Sequence, residues 1–281
     1  MTTTLLLWSI LLPLIGASLA PWRHGRWLAT IAPLPALAVA SLIPSAQIVT
    51  LDWVLLGVHL GVDDTGRVFL LASALMWFLA AVYTVGSLPR LPHSARFDLF
   101  FQLAMAGNFA LILAQDMLSF YLGFTLMGLS AYGLVAHQRS ASARHAGSLY
   151  LRWTILGEVI RFCALVLMAA HSGGLEFEGL RTTTPSHLAI SLLVVGFGIK
   201  LALPGLHVWL PPAYSHAPSA GAAVLSGPMI SAGLLGWMRF LPPGLEAMNG
   251  WGQTLVVIGI IQFALGTTVG LIQRNPRVVL G

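Results

Sequence analysis

Nine long apolar runs, separated by short connections that carry most of the arginines, leave this chain few ways to fold. Their approximate spans are 3–20, 28–49, 67–88, 98–114, 116–136, 148–171, 187–210, 218–241 and 251–273. Each is long enough to cross the hydrocarbon of a bilayer as a helix. Charged residues make up 8% of the chain, against about a quarter in soluble domains. So few charges cannot cover the surface of a soluble fold of 281 residues. The sequence therefore predicts an all-α, polytopic membrane protein of about nine transmembrane helices, embedded in a lipid bilayer. The formal net charge of +5 fits basic loops beside anionic lipid and implies no nucleic acid. The single cysteine, Cys163, lies inside an apolar run, which points to neither a disulfide framework nor a thiolate metal site.

Details along the chain refine this picture. The first run ends in Ala17-Ser-Leu-Ala20, like a signal peptide, but it lacks a positive start and its arginines follow it, so it reads as a retained helix. Pro33, Pro35 and Pro44 predict a kink in the second run. Asp52–Arg67 is half apolar with turn residues, and is expected to be a short external hairpin or loop. Arg23, Arg26, Arg90, Arg96, Arg139, Arg144, Arg152, Arg274 and Arg277 flank alternate connections and the tail. The other connections hold Arg67, Arg181 and Arg239 together with most of the acidic residues. The positive-inside rule then expects an external N-terminus and a cytoplasmic C-terminus.

Polar groups at membrane depth are costly and therefore informative. Lys200, the sole lysine, lies deep in the apolar stretch 188–203. Pro204 follows four residues later and should break or kink the helix, since it removes a donor and clashes with the preceding turn. Broken backbone at that depth must be buried in protein or line a wet cavity. Lys200 can be a snorkelling lysine near a helix end or a desolvated amine able to release a proton, and the break behind it favours the second. His207 and His216 follow, each either a simple hydrogen-bonded turn residue or a proton relay. Glu158 and Arg161 lie three residues apart on one face of the sixth run. They are either a locking ion pair or a carboxylate that carries protons under the tuning of its cation. His137, His145, His171 and His187 read as interfacial, and Gln102, Asn108, Ser231, Gln262, Thr267 and Thr268 mostly as interhelical hydrogen-bonding groups.

Lys200, Pro204, His207, Trp209, Leu210, Pro211, Ala217, Pro218, Ser219, Arg239 and Phe240 together form a pattern. It resembles the antiporter-like proton-translocating subunits of respiratory complex I (NADH:quinone oxidoreductase), membrane-bound hydrogenases and Mrp-type antiporters. The likeness is specific at 198–240, looser from about Asp63 onward, and in the first sixty residues no more than apolar helices. It implies N-terminal helices with an external hairpin at 1–96, a first five-helix repeat at 97–241 with its broken helix at 204–216, and a following helix and cytoplasmic tail at 242–281. Relatives continue into a second repeat, so the chain is expected to be a fragment, a split product or a shortened paralogue.

The resemblance further implies proton translocation by Lys200, Glu158, His207 and His216, with Arg161 as charge partner. Two family positions differ. Thr125 stands where a glutamate is usual, and Ser231 where a second lysine or histidine is usual. Glu158, one helix along, is expected to supply the missing carboxylate. Motifs for a catalytic, cofactor or metal site are absent from the sequence, so redox chemistry is expected in other membrane and redox subunits of an inner-membrane complex. The alternatives are a sodium/proton antiporter module, disfavoured because only Glu158 offers a mid-membrane acid, and a non-conducting structural subunit, favoured by Thr125 and Ser231.

Overall fold

The computed structural model describes residues 2–22, 25–45, 47–52, 54, 57–87, 94–138, 140–180, 185–241 and 251–273. Several of the arginines that suggest the orientation, namely Arg23, Arg90, Arg139, Arg181, Arg274 and Arg277, lie outside these. The helices begin with α1 (Thr2–Ser18), α2 (Gly25–Ile31) and α3 (Leu34–Leu42). The expected kink of the second run falls at Pro33, between α2 and α3. Strands β1 (Ile48–Leu51) and β2 (Val58–Gly61) then pair antiparallel, with Ile48 opposite Gly61, so the hairpin begins before the expected 52–67 stretch and takes up the end of the expected second span.

Next come α4 (Asp64–Ser87), α5 (Ser94–Leu113), α6 (Met117–Val135), α7 (Ala141–Ser172) and the short α8 (Phe177–Leu180). The chain continues with α9 (His187–Lys200), α10 (Leu210–His216), α11 (Ser219–Ser226), α12 (Pro228–Phe240) and α13 (Trp251–Ile272). Among the described residues, six helices are long and apolar enough to span a membrane, with α11 and α12 taken together as one. Thr2–Ser18, Trp27–Leu42 and His187–Lys200 are shorter apolar helices. The sixth expected segment starts earlier than its apolar run. Ser140 caps α7 by accepting the amide of Ala143, so the arginine-bearing turn is already helical.

Apolar side chains cover both faces of most of these helices. Leu71, Leu75 and Leu79 on α4, and Ile155, Val159, Phe162 and Val166 on α7, point outward. An outside this apolar suits lipid and not water. The inside is built around α5, which packs most extensively on α6 and then on α1. Glycine permits the closest approach: a Cβ on Gly107 would lie 2.4 Å from the Met127 amide, and one on Gly123 would lie 2.6 Å from that of Leu111. Aromatic rings of Phe120, Phe124, Phe197 and Phe240 fill the space between α6, α9 and α12.

Helix ends are tied by charge. Asp116 caps α6 by accepting the amide of Ser119, and its other oxygen accepts the amide of His59 on β2. Arg239 donates to the carbonyls of Leu111, Ile112 and Ala114 at the end of α5, and to Asp63 at 2.9 Å. A cation is well placed there, because the last carbonyls of a helix have no partner within it and carry its negative dipole end. Arg67 does the same for α3, donating to the carbonyls of Ala40 and Ile43.

Candidate functional site

Helix α9 stops at Lys200 with a geometry that the sequence foreshadows only in part. Pro204 cannot donate to the Lys200 carbonyl, and its ring disfavours helical backbone at Leu203. The chain has turned before that point. Ala202 adopts φ 53, a left-handed conformation unusual for a residue with a Cβ. The amide of Leu203 then bonds the carbonyl of Gly198, and that of Ala202 the carbonyl of Ile199, closing the helix in a Schellman arrangement. The break accordingly runs from Leu201 to Trp209, and most of the expected 204–216 interruption is helical again as α10.

The freed carbonyls of the break find partners. Trp209 Nε1 donates to Ile199 O at 2.9 Å, and Gln262 Nε2 on α13 donates to Ala202 O at 3.0 Å. Such partners are what permit irregular backbone within the thickness of a membrane.

Lys200 is 5% exposed. Its Nζ donates to Tyr150 Oη at 3.3 Å and lies 5.5 Å and 5.8 Å from the ring centres of Tyr150 and Trp209. Tyr150 in turn donates to the Gly128 carbonyl at 2.9 Å. Among the described residues, the ion pairs are His59–Glu176, Glu158–Arg161 and Asp63–Arg239, so the amine has no carboxylate partner within 4.0 Å.

Glu158 is 6% exposed and fully engaged. Arg161 Nη2 donates to its Oε1 at 2.6 Å, and Thr125 Oγ1 donates to its Oε2 at 2.8 Å. Arg161 also donates to the Gly196 carbonyl and lies 4.3 Å from the centre of the Phe124 ring. That approach requires glycine at 196, since a Cβ there would stand 2.7 Å from Arg161 Cγ. Lys200 and Glu158 are not bonded to each other, but they share a cavity of about 10 Å³ with Tyr150, Thr154, Arg161 and Trp209.

The two histidines stay apart from this cavity. His207 is exposed and lines a separate cleft of about 140 Å³ with Pro204, Pro211, Gln262 and Gln273. His216 Nδ1 lies 2.9 Å from the Pro212 carbonyl and from the Ser215 hydroxyl, at the end of α10. Ser231 donates back to the Pro228 carbonyl at 3.0 Å, within its own helix. The same carbonyl accepts Asn108 Nδ2 at 3.2 Å, and Asn108 Oδ1 accepts Trp77 Nε1 at 2.9 Å. His137, expected at an interface, is buried against Phe97. Tyr150 and Thr154 also line the Lys200 cavity, without a motif in the sequence to mark them. The signal was their spacing: residues 150, 154 and 158 repeat every four positions along one face of α7.

Residues 114–281 match the membrane family described as NADH:quinone oxidoreductase/Mrp antiporter. The chain belongs to that family. It is 32% identical over 195 residues to hydrogenase-4 component B of Escherichia coli, a match covering 66% of this chain and 29% of that protein. It is 28% identical over 195 residues to NADH-quinone oxidoreductase subunit N of Deinococcus radiodurans, covering 66% of this chain and 40% of that one. A solved chain of the archaeal membrane-bound sulfane sulfur reductase superimposes with a TM-score of 0.84 at 20% identity, over 98% of this chain and 61% of its own length. The fold is thus that of an antiporter-like membrane subunit, and the protein is a multi-pass membrane protein. The sequence spans well under half of the length of these two curated relatives.

Proposed function

We propose that this antiporter-like chain moves protons across an inner, cytoplasmic membrane, as a subunit of a redox-linked complex whose electron transfer occurs in partner subunits. The observation that carries the reading is Lys200: a buried amine at a helix break, bonded to one neutral hydroxyl and sharing a small cavity with Glu158. Such an amine responds strongly to any change in nearby charge, because the surroundings screen it little. Glu158, with Arg161 as its charge partner, takes the part of the carboxylate replaced by Thr125. A shift of charge in a neighbouring subunit alters the balance between Glu158 and Lys200, and a proton moves. His207 serves the path outside the cavity, along the cleft beside Gln262, and His216 lies at the far end of α10.

The functional unit is the five-helix repeat at 97–241, preceded by the helices of 1–96 and followed by 242–281. Its orientation is N-terminus outside. Sodium is the weaker substrate, because both oxygens of Glu158 are already held by donors and a hard cation needs several free oxygen ligands. A non-conducting structural role draws support from the same engaged carboxylate, since a fixed ion pair can simply lock α7 to its neighbours. Proton flux through the complex in liposomes decides: Lys200→Ala and Glu158→Gln are each expected to abolish it, and unchanged flux in both would leave the structural role.

A further inference from the structure

A proton that passes between Lys200 and Glu158 needs a route. Lys200 and Glu158 form no direct bond, and the groups between them are hydroxyls. Tyr150, Thr154 and Glu158 stand one turn apart on the same face of α7, all buried. Tyr150 already holds the amine. Thr154 and Glu158 both lie over Gly128, where a Cβ would stand 3.2 Å from Thr154 Cγ2 and 3.3 Å from Glu158 Oε1. The cavity these residues line, about 10 Å³, is near the size at which a single water fits. It offers that water the polar groups of Tyr150, Thr154, Glu158 and Lys200 as partners.

We propose that Tyr150 and one water held by Thr154 form a relay that carries a proton from Lys200 to Glu158. This rests on the reading of Lys200 and Glu158 as the exchanging pair. At rest the phenolic proton points to the Gly128 carbonyl. In transfer it turns into the cavity by rotation about the C–O bond. A proton leaves Lys200 Nζ for the Tyr150 oxygen as the phenolic proton passes to the water. That water, held by Thr154, passes one of its own protons to Glu158. One N–H bond is lost and one carboxyl O–H is made, while Tyr150 and the water each give one proton and gain one. Lys200 ends neutral and Glu158 protonated, so the transfer leaves the total charge unchanged. The protonated carboxyl then holds Arg161 less tightly, which links proton arrival to the contact between α7 and α9.

The test uses the membrane complex purified through a tag on this chain and reconstituted in liposomes. A potassium diffusion potential drives the flux, and an interior pH dye reads it. Tyr150→Phe keeps the ring beside Lys200 and removes only the hydroxyl; flux is expected to fall about a hundredfold. Thr154→Val is expected to fall comparably and Thr154→Ser to retain parental flux, a rescue that a mere packing role would not predict. The solvent deuterium isotope effect should be normal in the parent and should change in Tyr150→Phe. Parental flux and isotope effect in both Tyr150→Phe and Thr154→Val, with Lys200→Ala and Glu158→Gln inactive, would overturn the relay and leave the pair standing. Parental flux in Lys200→Ala and Glu158→Gln would remove the pair and the relay together.

Discussion

Thr125 Oγ1 on α6 donates a 2.8 Å hydrogen bond to Glu158 Oε2 on α7. The position where the resemblance expects a glutamate is thus in direct contact with the carboxylate that we propose takes its part.

Thr125→Val removes one donor from a buried carboxylate while keeping the shape of the side chain. It is expected to lower the thermal stability of the purified protein by about 1–3 kcal/mol, and Thr125→Ser to restore most of it. Unfolding followed by intrinsic fluorescence checks both.

Glu158→Ala strands Arg161 without its carboxylate in a buried site. The expected cost is about 3–5 kcal/mol, seen as poor yield and a lowered melting temperature. The double variant Glu158→Ala with Arg161→Met should recover part of that loss, because no unpaired charge remains. A double variant as unstable as Glu158→Ala alone would show that the ion pair is not what the single change disrupts.

Arg239 joins α12 to the end of α5 and to Asp63 at the start of α4. Arg239→Leu takes away the donors of three carbonyls at once and is expected to prevent stable accumulation. Asp63→Asn keeps a hydrogen-bonding partner and should cost only about 1–2 kcal/mol. Equal yields of Arg239→Leu and parent in membranes would count against the clasp.

Cys163 is exposed on the apolar outer face of α7. In membranes it should react with a lipid-soluble maleimide and resist a membrane-impermeant one applied from either side. Rapid reaction with the impermeant reagent would place that face in water or at an aqueous partner surface.

The large-scale fold was legible because its determinants are local. Lipid offers no hydrogen bonds, so apolar run length selects helices, and Pro33 and Pro204 mark interruptions wherever they occur. A third interruption, at Gly227 and Pro228, shares that local cause but lies inside an apolar, small-residue run that reads as one helix. Pro204 predicts the break after Lys200, yet the left-handed turn lies at Ala202, where no glycine announces it.

The sequence alone determined that this chain spans membranes, that its helix breaks shortly after Lys200, and that Lys200, Glu158 and Arg161 lie too deep for water to reach. Tertiary structure decided the partners: Tyr150 for Lys200, Thr125 and Arg161 for Glu158, the end of α5 for Arg239, and an outlying cleft for His207. The division has a physical reason. Helices apolar on every side carry no stripe that tells which face turns inward, so pairing between side chains is set only when the helices pack.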